Sequence, residues 1–219
     1  PGSTSDTATH PSIAFVAHMD HPGFEALEAT NGRVIAGALG GVPQASFSEI
    51  VPVRILLANG TSLVAETDGH YGPPENRKVS LAVKNQGDIE YPRPVVFDLT
   101  DFEFDGELVH MRALDDLAGC AGILAALQTL VKEGPEGDVF GVFTRAEEVG
   151  LVGARLMAES GTFPQDTLVV SLEASRMLPG ATMGDGPVIR VGDASLPPPL
   201  GFKIRLDKAK MKYASNSPQ

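Results

Sequence analysis

Between residues 24 and 108 no helix of useful length can be written, and this interruption constrains the fold more than any other feature of the chain. The stretch holds short β-rich pieces, Val51–Leu57, Val79–Val83 and Val95–Leu99. Turn signals separate them at Asn31-Gly32, Gly40-Gly41, Asn59-Gly60, Asp68-Gly69, Gly72-Pro73-Pro74 and Gln86-Gly87. That pattern predicts a small β-barrel or sandwich. On either side the character differs. Ser12–Ala17 is a continuous apolar run ending at His18, as expected for a strand buried on both faces. From His110 onward strands and helices alternate. Asp116 can cap a helix running to Glu133, with Leu117, Cys120, Leu124, Leu127 and Val131 on one stripe, and Gly134-Pro135 stops it. Val139–Thr144 follows as a strand, Leu151–Ser160 as a helix closed by Gly161, then Leu168–Leu172 and Pro187–Val191 as strands. Leu196–Pro199 reads as a loop and Arg205–Tyr213 as a last helix. The expected fold is α/β, a mixed, mostly parallel sheet flanked by helices. Residues 1–23 and 109–219 form one discontinuous domain in this reading, and 24–108 an inserted β domain.

Composition narrows the partners. A formal charge of −11 argues against nucleic acid, since phosphate binding needs clustered Lys and Arg. The one basic cluster, Lys203–Lys212, lacks interleaved aromatics and reads as a solvated face. A negative surface suits cationic ligands such as divalent metals and free amino termini. Cys120 is the single cysteine, so no intrachain disulfide can form. With no signal-peptide pattern and no apolar run read as long enough to cross a membrane, the expectation is a cytoplasmic protein without a membrane partner.

The chemistry-bearing residues gather at strand ends. His18-Met19-Asp20, Asp115-Asp116, Glu147-Glu148 and Glu173 each fall just after an expected strand or at a strand–helix junction. Ligands of open α/β sheets bind in the crevice beyond the carboxyl ends of the strands. Each group alone has an ordinary explanation: a core histidine, a helix cap, a solvated acidic pair. Together they form one concave acidic cluster in which the carboxylates could not all stay ionised without a cation. One imidazole among carboxylates is a ligand set for Zn²⁺, Co²⁺ or Mn²⁺. Asp20 can fix the His18 tautomer. Asp115, just before a helix start, has the rigid backbone a bridging carboxylate needs. Of Glu147 and Glu148, one can bind metal while the other moves a proton from water to a leaving amine.

The blocks Ala17-His18-Met19-Asp20, Ala113 to Cys120 (Ala-Leu-Asp-Asp-Leu-Ala-Gly-Cys), Phe143 to Ala154 (Phe-Thr-Arg-Ala-Glu-Glu-Val-Gly-Leu-Val-Gly-Ala) and Gly184 to Arg190 occur in this order. The series resembles the M42 family of glutamyl aminopeptidase-like metallopeptidases, the tetrahedral aminopeptidases, over nearly the whole chain. The resemblance implies a metal-dependent aminopeptidase acting on peptides, with two divalent ions, Zn²⁺ or Co²⁺. It implies His18 as a ligand of one metal, Asp115 as the bridging ligand, Glu147 as general base and Glu148 as a ligand. Glu173 stands where the family usually has Asp. A cis peptide between Asp115 and Asp116 and a homo-oligomer, up to a dodecamer, are implied as well, the inserted β domain mediating assembly. His21-Pro22 depart from the family pattern after Asp20, and His21 reads as a loop residue. The family continues past the position of Gln219 to a last metal-binding His, whereas no His follows His110 here, so the chain is expected to be C-terminally incomplete. Other readings are a different di-metal amide hydrolase, such as a deacylase, and an inactive metal-binding or assembly scaffold.

Overall fold

The structure, a computed structural model, describes residues 12–84, 89–134, 137–175, 182–184 and 186–190, and the backbone of 212–214. The chain divides into two compact units, Pro1–Ala174 and Ser175–Gln219.

In the first unit, β1 (Ile13–His18), β10 (Val139–Thr144) and β11 (Leu168–Ser171) make a three-stranded sheet in the order β10-β1-β11. All pairs are parallel, from Ile13↔Val139 to His18↔Thr144 and from Ile13↔Leu168 to Val16↔Ser171. This register brings the carboxyl ends of all three strands to one edge. The sequence predicts a mixed, mostly parallel sheet; the described strands of this sheet pair only in parallel. Helix α1 (Leu114–Glu133) packs on β1 and β10, with Ala17, Cys120 and Ile123 buried among Phe15, Leu117, Leu127, Phe143 and Leu172. Helix α2 (Val152–Glu159) follows β10 and buries no residue fully.

The sequence stripe on α1 holds at Leu117, Cys120 and Leu127 and fails at two positions. Leu124 is 54% exposed and Val131 81%, while Ile123 is 1% exposed. The reason lies across the interface, at Gly141. A Cβ there would sit 2.8 Å from Ile123 Cγ2 and 2.6 Å from Leu127 Cδ1. The bare backbone of β10 lets α1 approach on this line, and the helix rolls to put Ile123 into the gap. Helix α1 is also long and apolar enough to cross a membrane, with a mean hydropathy of 1.4, unlike the sequence reading that found no such run. Ala and Gly dilute its apolar residues, so the run is less conspicuous than a Leu-rich span. Here its Cys120–Ile123 face lies on the sheet.

Residues 23–97 form a closed antiparallel barrel of β2 (Gly23–Thr30), β3 (Arg33–Leu39), β6 (Lys78–Val83), β5 (Ser62–His70), β4 (Pro52–Leu56) and β7 (Arg93–Phe97), in that order. Closure resolves the choice between barrel and sandwich. Alternate residues point inward, as a two-residue period requires: Phe24 and Ala26, Val34 and Ala36, Val53 and Ile55, Val79 and Leu81. Phe47, from a short 3-10 turn (Gln44–Phe47), plugs the core edge-on to Phe24. Helical structure in this stretch is limited, among the described residues, to that turn and Pro74–Asn76. Asp68-Gly69, read as a turn, instead lies inside β5. The pairing of β5 with β6 shifts between Thr67 and His70, and Gly69 has φ +84°. The extra residue makes a bulge, not a chain reversal. A hairpin of β8 (Glu103–Asp105) and β9 (Leu108–His110) leads from the barrel to α1.

In the second unit β12 (Val188–Arg190) pairs in parallel with β13 (Lys212–Ala214). Lys212 and Tyr213 are therefore in a strand, where the pattern suggested the end of a helix. Pairing of the backbone with β12 outweighs the weak local preference of so short a segment. Residues 205–211, and the loop at 196–199, lie outside the described residues.

Candidate active site

His18 ends β1 and is 3% exposed. Its Nδ1–H donates to the Asp20 carbonyl at 2.9 Å, which leaves Nε2 to face the carboxylates. Nε2 faces Asp115 Oδ1 at 3.1 Å, Glu173 Oε1 at 3.6 Å and Glu147 Oε2 at 3.8 Å. Cys120 Sγ lies 3.3 Å from the His18 carbonyl and ties α1 to the end of β1. The tautomer is thus held by the Asp20 main chain; the Asp20 carboxylate, 3.8 Å from Nδ1, does something else. It accepts the backbone N–H groups of Glu147, at 3.1 Å, and Glu148, at 3.2 Å. Further bonds close that loop, from Gly150 and Leu151 N–H to the Glu147 carbonyl and from Gly153 N–H to the Arg145 carbonyl.

The Asp115–Asp116 peptide is cis, as the resemblance implied. Both residues precede the regular turns of α1, and Asp116 Oδ1 accepts the Gly119 N–H at 3.1 Å, which is the cap read from the sequence. Asp116 is 1% exposed, and its Oδ2 is buried without a hydrogen-bond partner. Among the described residues two sets of donors could each hold a cation, His18 with Asp116 and Glu173, and His18 with Glu147 and Glu148. His21 Nδ1 bonds to the Pro22 carbonyl and remains a loop residue.

The electrostatics of this edge favour a positive charge. Burial pushes the Glu173 carboxyl up to about 7, helped by the charge and hydrogen bond of Asp115. Burial likewise raises Glu147, with Glu148, Asp20 and Asp115 adding repulsion against the pull of His18. Asp116 is raised by burial too, partly offset by the Gly119 N–H and His18. For His18 burial pulls down, but the Asp20 carbonyl and the charges of Glu173, Glu147 and Asp115 outweigh it, and the net shift is upward. Protons here stand in for a cation: a neutral Nε2 lone pair facing three carboxylate oxygens is repulsive unless a proton or a metal lies between them. An imidazole nitrogen, several carboxylates and an orphaned buried oxygen fit a divalent metal site.

Each residue singled out from the sequence therefore reaches this edge. What the sequence missed is a barrel contribution. Gly41 N–H points at Glu148 Oε2 at 3.4 Å, from a position no spacing rule connects to Glu148. The structural role of Asp20 gives a direct expectation: Asp20→Ala strips the acceptor from two loop N–H groups and should cost about 1–3 kcal/mol. Urea denaturation with an unchanged m-value would check it.

A parallel three-stranded sheet interrupted after its first strand by a closed barrel, with an imidazole and several carboxylates gathered at its carboxyl edge, defines an α/β protein with a candidate metal centre. A family model for the M42 glutamyl aminopeptidase matches residues 3–213. The chain belongs to the M42 glutamyl aminopeptidase family. A protein of Acetivibrio thermocellus described as "Putative aminopeptidase" is 32% identical over 126 residues, covering 55% of this chain and 36% of that protein. The structure of the Pyrococcus horikoshii TET1 peptidase, which can assemble into a tetrahedron or a large octahedral shell, superimposes with a TM-score of 0.69 at 26% identity. The match covers 84% of this chain and 61% of that one. A PhTET1 dodecamer matches with the same TM-score and identity, over 85% of this chain and 61% of its own. The chain thus spans about three fifths of these solved relatives and little more than a third of the curated one.

Proposed function

We propose that the protein is a metal-dependent aminopeptidase that removes N-terminal residues from peptides. The observation that carries this is His18 Nε2, facing Asp115, Glu147 and Glu173 within 3.8 Å while Nδ1 is committed to the Asp20 carbonyl. In this reading His18, Asp115, Glu148 and Glu173 hold two divalent ions, Zn²⁺ or Co²⁺. Such ions polarise a scissile carbonyl and lower the pKa of an attacking water. Glu147 takes the proton of that water and returns it to the leaving amine, a role suited to its upward shift. Asp20 keeps both glutamates in place through their backbone. The surrounding carboxylates favour a substrate with a free ammonium group. The relatives' assemblies support a homo-oligomer, the barrel a separate inserted domain at 24–108, and the formal charge of −11 a protein without a nucleic-acid partner. A cytoplasmic setting belongs to the same proposal.

Metal content and turnover of amino-acid p-nitroanilides test the proposal. Turnover that chelation abolishes and Zn²⁺ or Co²⁺ restores supports it. Tight metal binding without turnover would make the protein a scaffold, and turnover only of acylated amino acids a deacylase.

A pH signature is also expected. Glu173, raised to about 7, and His18, also raised, both bind protons more tightly folded than unfolded. Their contributions are full below the unfolded values, near 4.5 and 6.5, and are lost as pH climbs through the folded ones. The metal-free protein should therefore lose stability between those unfolded values and about 7 or above, by about 1 kcal/mol after allowing for the partial exposure of Glu173. Metal displaces these protons, so the rise in Tm on adding Zn²⁺ should grow with pH across the same window. Thermal melts with and without metal at several pH values check this.

A further inference from the structure

The loop after β3 reaches out of the barrel to the candidate site. Gly40 has φ +76°, and a Cβ on it would lie 2.8 Å from Glu148 Cβ and 3.2 Å from Glu148 Oε2. No side chain fits there, and the backbone conformation itself disfavours one. Next to it the Gly41 N–H is directed at Glu148 Oε2, 3.4 Å away. The barrel holds this loop from behind. Arg77 Nη2 donates to the Gly40 carbonyl at 2.9 Å, and the Arg77 carbonyl accepts the Ala38 N–H at 2.9 Å. The same guanidinium carbon stands 6.0 Å from the ring centroid of Phe47, which is 2% exposed. A continuous path therefore runs from the barrel core through Arg77 and the Gly40-Gly41 peptide to the Glu148 carboxylate.

We propose that the Gly40-Gly41 turn, braced by Arg77, is a positioning device for the Glu148 carboxylate, so that the barrel sets the metal affinity of the site on the sheet edge. The proposal rests on Glu148 being a metal ligand. Asp20 fixes the Glu148 backbone from one side, while the turn confines its side chain from the other. With both in place the carboxylate has little rotamer freedom left to lose when a cation binds. Arg77 acts on Glu148 through the Gly40 carbonyl and is a positioning residue only.

The test is calorimetric titration of the metal-free full chain with Zn²⁺ alone, for wild type, Arg77→Met, Gly40→Ala, Glu148→Gln and the double variant Arg77→Met/Glu148→Gln. Gly60→Ala serves as a control, because Gly60 has a comparable φ of +82° but open space around it. Arg77→Met and Gly40→Ala should each weaken binding about tenfold, the usual scale for groups behind a metal ligand. Gly60→Ala should lower the melting temperature and leave metal affinity unchanged. In the double variant, Arg77→Met should add no further loss, because the carboxylate it positions is gone. Wild-type affinity in a folded Arg77→Met or Gly40→Ala overturns the proposal, as does an additive loss in the double variant. Either glycine or arginine variant suffices if the other does not fold. If Glu148→Gln itself binds Zn²⁺ like wild type, it is the ligand assignment that fails, and the positioning idea with it.

Discussion

Glu147→Gln should lower kcat by about 10²–10⁴-fold while leaving the fold and the bound metal in place, the usual range for removing a general base. The amide is nearly the same size and keeps a carbonyl oxygen toward His18, but it cannot take up a proton. Its backbone N–H still donates to Asp20, so the loop that carries Glu148 stays anchored. KM should change little, because in this reading Glu147 acts on the proton and not on the bound peptide. The comparison that decides is kcat for an amino-acid p-nitroanilide against metal content by atomic absorption in the same sample. Loss of metal together with activity would make Glu147 a ligand, and unchanged turnover would remove it from the chemistry.

Phe24→Ala should destabilise the barrel by about 3–5 kcal/mol. Phe24 is 2% exposed and contacts two other rings edge-on, Phe47 at 6.3 Å and Phe97 at 5.7 Å between centroids. A closed barrel of six strands has little room to collapse around the void, so the loss should sit at the upper part of that range. Because Phe47 also supports Arg77, metal affinity should fall with stability. Chemical denaturation, followed by a probe in the barrel, measures the first effect.

The sequence reading reached further into the site than into the barrel. His18, Asp115, Glu147, Glu148 and Glu173 could be picked out because each follows an apolar run or opens a helix. Parallel strands necessarily bring such positions to one edge. Asp20 was found as well, but its task was not: residues 18 and 20 are close in sequence, whereas its bonds to 147 and 148 depend on the β1–β10 register. In the barrel, the Val51–Leu57 piece was legible as a strand, yet Asp68-Gly69 looks the same whether it ends a strand or bulges it. Only the pairing of β5 with β6 separates the two.

Local chemistry along the chain was enough to read a β-rich stretch without a long helix, a frame of alternating strands and helices and an acidic, imidazole-bearing strand edge, because period and residue type act over a few positions. The roll of α1 onto Ile123, the closure of the barrel and the approach of Gly40-Gly41 to Glu148 were decided by the tertiary structure alone. Each depends on a gap or a donor supplied by a distant segment, and packing of that kind leaves no periodic trace in either partner.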